Sequence, residues 1–139
     1  MDNRLRLQKQ TVNAMEGIDD TVRSLRQSQK IYKDCSTIYP PRLDDMISEF
    51  CRDASCCRRR WELLHKKLDT PLTDEDHERI IDDFRDIRTL YIQAIPKLDD
   101  ILYEFQGIDD VDRALFGDSE FLDSFGCQDD DAEEGDLYL

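Results

Sequence analysis

From residue 43 to residue 68, apolar side chains recur at alternating steps of four and three. Leu43, Ile47, Phe50, Ala54, Cys57, Trp61, Leu64 and Leu68 form this series. At 3.6 residues per turn the spacing sets all of them on one stripe of a helix. A seven-residue repeat without a break is the pattern of helices that pack side by side along their length. Pro40 and Pro41 stand before it, and proline suits a first helical turn because its missing N–H is not needed there. Pro71 follows the stripe.

A second stripe begins at once. His77, Ile80, Phe84, Ile87, Tyr91, Ala94, Leu98, Ile101 and Phe105 keep the same alternation. Thr73 and Asp76 predict its start as a capping box, with Asp in place of the usual Glu. Gly107 followed by Ile108 predicts its end, since glycine takes the left-handed conformation that commonly closes a helix. Pro96 interrupts the stripe; it removes a hydrogen bond and crowds the carbonyl of Ile92, which predicts a kink or a break. The first segment is less regular. Met15, Ile18, Val22, Leu25, Gln29 and Tyr32 keep heptad spacing, extended by Leu5 and Val12, and predict one helix from about residue 4 to about residue 36.

Short connections at "TIYPP" and "DTPL" force consecutive helices to run antiparallel. The expected fold is therefore all-α: an elongated antiparallel three-helix bundle with coiled-coil-like stripes over residues 1–106. An acidic tail, expected to be disordered, fills 107–139 and carries a short helix near 109–116. Ile81, Ile95 and Leu102 lie beside the third stripe. They either complete the internal core or form a second seam for another chain.

"GIDDTVRSL" at 17–25 nearly recurs as "GIDDVDRAL" at 107–115. Ile followed by paired Asp is a helix-start cue, because carboxylates favour the positive end of the helix dipole. In the second copy Asp109 reads as the N-cap of the short helix, whereas the first copy falls inside a long helix. The flanks do not match. The two copies are thus expected to play different local roles rather than to form a duplicated site.

Charge divides the chain in the same place. Of its 139 residues, 33 are acidic and 19 are Lys or Arg, a net charge of −14. Residues 107–139 hold 12 of the acids and one base, Arg113. The preceding body is nearly balanced. Five cysteines without regular spacing, Cys35, Cys51, Cys56, Cys57 and Cys127, argue for a reducing compartment. No apolar run has membrane-spanning length, and the polar N-terminus does not read as a secretory signal. The expected location is cytoplasmic or nuclear.

"CRRRWELLHKK" is a basic cluster. A fold-back about residues 70–71 puts Arg58, Arg59 and Arg60 level with Asp83, Asp82 and Ile81, and Lys66 and Lys67 level with Glu75 and Asp74. The cluster is then expected to pair across the hairpin and fix its register, and nucleic acid is not the expected partner. Glu62 with His65, and Asp74 with His77, place carboxylate and imidazole one turn apart. They read as a polar helix end rather than a metal site. Cys51, Cys56 and Cys57 point to different faces and cannot close around one zinc. No phosphate-binding loop or nucleophile elbow occurs. The chain is expected to be no enzyme and to need no cofactor or metal.

The tail interleaves apolar residues with carboxylates. Leu115, Phe116, Phe121, Leu122, Asp123, Phe125, Leu137 and Leu139 are the candidate partner-binding residues. Aromatics in a polar tail suit a partner's groove, and the surrounding charge steers them to a basic rim. "FLDSF" resembles the F-x-D-x-F ligands of clathrin-adaptor appendage domains. The composition resembles acidic transcriptional activation segments, and the last three residues resemble a PDZ-type C-terminal ligand. The bland alternative is a solubilising tail whose apolar residues tuck against the bundle. The expected function is a non-enzymatic interaction subunit or adaptor that joins a hetero-oligomeric helical assembly and recruits a protein partner through its tail. The alternative is an acidic regulator or inhibitor that occupies a basic, nucleic-acid-type site.

Overall fold

The computed structural model describes residues 2–117. Three helices, α1 (Asp2–Cys35), α2 (Pro41–Leu68) and α3 (Asp74–Phe116), form an antiparallel bundle. α2 lies between the other two. All eight stripe residues of α2 are buried, together with Cys51. Ile18 and Leu25 of α1 meet this stripe from one side, and Ile80, Ile87, Ala94, Ile101 and Phe105 of α3 from the other. Proline opens α2 at Pro41, and Thr73 with Asp76 opens α3 through both hydrogen bonds of the capping box.

The N-terminal part of α1 differs from its predicted pattern. Leu5 is exposed, and Leu7 and Thr11 take the buried positions. Here α1 runs past the end of α2, where helix carbonyls lack partners. Polar side chains therefore serve better than apolar ones. Arg4 donates to the carbonyl of Thr70, and Gln8 donates to the Leu68 carbonyl at 3.4 Å and to Asp69 at 2.9 Å. Thr11 gives its hydroxyl proton to the Gln8 carbonyl at 2.8 Å. The same hydroxyl is hydrogen-bonded with His65 Nδ1 at 3.0 Å.

The stop expected at Gly107 lies at Gly117 instead, where φ is +81° and the N–H bonds the Arg113 carbonyl. Residues 109–116 are the last turns of α3, not a separate short helix, and Asp109 is no N-cap. The end of α1 and the following loop hold this extension. Tyr32 stacks on Phe105 with centroids 4.4 Å apart, and its hydroxyl donates to Asp109 at 2.8 Å. The Thr37 N–H donates to Asp112 at 3.1 Å, and Ile108 and Asp112 are buried. Gly17 and Gly107 are both helical, with open space where a Cβ would stand. Alanine at either position is expected to raise stability by about 0.5–1 kcal/mol, read by denaturant melts. A loss at Gly107→Ala would mean that the helix does end there.

α3 also runs unbroken through Pro96. Pro96 and Ile92 are both exposed, so water can take the Ile92 carbonyl freed by the missing N–H. The GIDD repeat therefore plays one local role twice. Ile18 and Ile108 are each 2% exposed. Asp20 pairs with Arg23 at 2.8 Å and Asp110 with Arg113 at 3.1 Å. Asp19 and Asp109 each reach another helix, at Arg58 and Tyr32.

At the other end Asp44 accepts from Lys33 at 2.7 Å, and from Tyr39 and Gln29 at 2.8 Å each. Bonding to Lys33, then to Tyr39 and Gln29, holds the Asp44 carboxyl down at about 2. Burial, then the bond to Asp44, pushes the Tyr39 phenol up to about 12. A depressed carboxyl stabilises above its unfolded value of about 3.9. That contribution is expected to fade as pH falls toward 2, and that of Tyr39 as pH rises from about 10 toward 12. Asp44→Asn should flatten the acid limb of a melting-temperature profile, and an unchanged limb would count against this cluster.

Candidate functional site

The α2–α3 register departs from the one expected. Arg42 meets Glu104 at 2.8 Å, where the predicted fold-back places Asp99. Lys97 meets Glu49 at 2.9 Å and Asp53 at 2.6 Å, where it places Asp44. The loop after α2 turns Leu72 against the core, and α3 is offset by more than one helical turn. The charge zipper of Arg58–Arg60 with Asp82 and Asp83 therefore does not form. Arg58 turns to Asp19 of α1 at 2.8 Å and to Glu62 at 3.5 Å.

The displaced cations make a surface. Arg52, Arg59, Arg60, Lys66 and Lys67 are exposed on α2, and none forms an ion pair with another described residue. Cys56 and Leu63, also exposed, lie on the same side of the helix. The two acids between Arg52 and Lys67, Asp53 and Glu62, are half-buried and engage Lys97 and Arg58.

The second surface lies on α3. Of the three residues with two possible roles, Ile81 packs on the core. Ile95 is half-buried, and Leu102 is 51% exposed. Ile92 at 59% and Tyr103 at 77% exposure lie beside them. Ile92, Ile95 and Leu102 fall at steps of three and seven, so they share one side of the helix next to the core stripe. Sequence reasoning passed over Ile92 and Tyr103. The signal was present, because they flank the Ile95–Leu102 heptad, but it is readable only once the core face is known.

Of the candidate tail residues, Leu115 and Phe116 belong to the last turn of α3 and are 59% and 49% exposed. Phe121, Leu122, Asp123, Phe125, Leu137 and Leu139 lie outside the described residues. His65 is bonded to Thr11, and His77 Nε2 is buried with no partner among the described residues. No group of three or more His, Cys, Asp and Glu that could hold a metal occurs among the described residues. Burial pushes the thiols of Cys51 and Cys57 up, which suits core packing, while Cys35 and Cys56 are exposed. No helix among the described residues is long and apolar enough to cross a membrane. No family model, curated protein or solved structure matches the chain.

Proposed function

We propose that this chain is a non-enzymatic interaction subunit of the cytoplasm or nucleus. In this reading the outer side of α3 joins a helix of another protein, and the acidic tail recruits a further partner through Phe121, Leu122 and Phe125. The observation that supports it is the apolar track of Ile92, Ile95, Leu102 and Tyr103 on a bundle whose core is already closed by other residues. Apolar residues grouped on one side of a helix suit a helix–helix seam. In coiled-coil terms α3 carries two stripes, one for its own bundle and one for a partner.

The test is the double variant Ile92→Asp with Leu102→Asp. Both sites are exposed, so the melting temperature of the isolated chain should hold. The hetero-oligomer recovered from native cells should be lost, because each buried large side chain supplies roughly 1.5–3 kcal/mol. An unchanged set of co-purifying proteins would remove the α3 seam from the proposal.

A further inference from the structure

We infer that the exposed basic face of α2 is the docking surface for the chain's own acidic segment, Asp129–Asp136. Three observations carry this. First, Arg52, Arg59, Arg60, Lys66 and Lys67 stand together without ion pairs to described residues, on a chain whose net charge is −14. Such a face attracts an anionic segment at short range whatever the sign of the whole molecule. Second, residues 118–139 hold nine acids and no base, six of the nine between Asp129 and Asp136. Third, the lengths agree. Arg42 is level with Glu104, so Gly117 lies about 20 Å of helix beyond Arg42, and Arg52 and Arg60 lie about 15 and 27 Å on its other side. The surface therefore starts about 35 Å from Gly117 and passes Arg60 at about 47 Å. Extended chain carries Asp129 up to about 40 Å and Asp136 up to about 63 Å from Gly117.

Tethering makes this contact effective although each exposed ion pair is weak. Covalent tethering raises the local concentration of the segment at any site its linker can span, by less the more the linker must stretch, and several pairs act together. An acidic segment held this way also occupies α2 against other anions. The inference does not need the recruiting role of the tail.

The test uses the full chain with Cys35→Ser and Cys56→Ser and a nitroxide on Cys127, leaving the buried Cys51 and Cys57 in place. At low salt the amide signals of Arg52–Arg60 should lose most of their intensity while those of α1 keep theirs. At about 1 M salt, where the screening length is about 3 Å, the signals should return. Arg52→Glu with Arg59→Glu and Arg60→Glu should abolish the effect without changing the melt. Neutralising Asp129, Asp130, Asp131, Glu133 and Glu134 should do the same if the first variant folds poorly. Full intensity on α2 at low salt would overturn the inference. So would broadening confined to the α3 track and indifferent to salt, which would place the tail there through its phenylalanines. Broadening carried to an unlabelled second molecule in a mixed sample would also overturn it, making the occupant another copy. Of these outcomes only tail binding on the α3 track bears on the proposed seam; the others leave its co-purification test untouched.

Discussion

Trp61→Ala is expected to cost about 3–5 kcal/mol. Trp61 is 3% exposed in the middle of the buried α2 stripe. Its ring meets Phe84 at 5.7 Å in a tilted arrangement and Tyr91 at 6.2 Å edge-on. Truncation therefore empties the contact between α2 and α3 at its widest side chain. Marginal stability of roughly 5–15 kcal/mol makes that a large share of the total. Trp61 Nε1 is buried with no partner among the described residues, so Trp61→Phe should cost clearly less: it keeps an aromatic face and removes an unsatisfied donor. Urea melts of the three chains give the ranking, and intrinsic fluorescence of the native protein should report a shielded indole. Equal stability of Trp61→Ala and the native chain would mean that the α2 stripe is not the core.

The second large effect is on binding. Phe121→Ala with Phe125→Ala should abolish one partner interaction and leave the melt of the bundle unchanged. Neutralising Asp129, Asp130, Asp131, Glu133 and Glu134 should weaken the same interaction only modestly. Apolar burial supplies affinity at roughly 1.5–3 kcal/mol per large side chain, whereas steering charge acts mostly on the association rate. An acidic inhibitor of a basic site demands the reverse order. Pull-downs with both variants at two salt concentrations separate the readings, and a chain lacking residues 118–139 that keeps every partner would defeat both.

The bundle was legible because its stripes are regular. Every member of the Leu43–Leu68 series is buried, and the proline start and the capping box are local signals with local causes. What sequence could not supply was the relative height of the helices. Register depends on where a loop side chain such as Leu72 packs, and a shift of one turn re-pairs every charge along the seam. This is why Arg58 meets Asp19 rather than Asp83, and why a cluster read as a zipper is an open basic face. Gly107 misled for a similar reason. Its helix-ending preference is small beside the stacking of Tyr32 on Phe105 and the burial of Ile108 and Asp112. For the candidate site, the heptad of Ile81, Ile95 and Leu102 was visible, but only packing could show that Ile81 turns inward and Leu102 outward.

The proposed α3 seam has one direct readout. Tyr103 is 77% exposed in the isolated chain, so hydroxyl-radical footprinting should modify it readily there. In the assembly isolated from native cells, Tyr103, Leu102 and Ile92 should be protected together, while exposed Leu5 at the far end of the bundle stays reactive. Equal modification of Tyr103 in both samples, with partners still bound, would contradict the account.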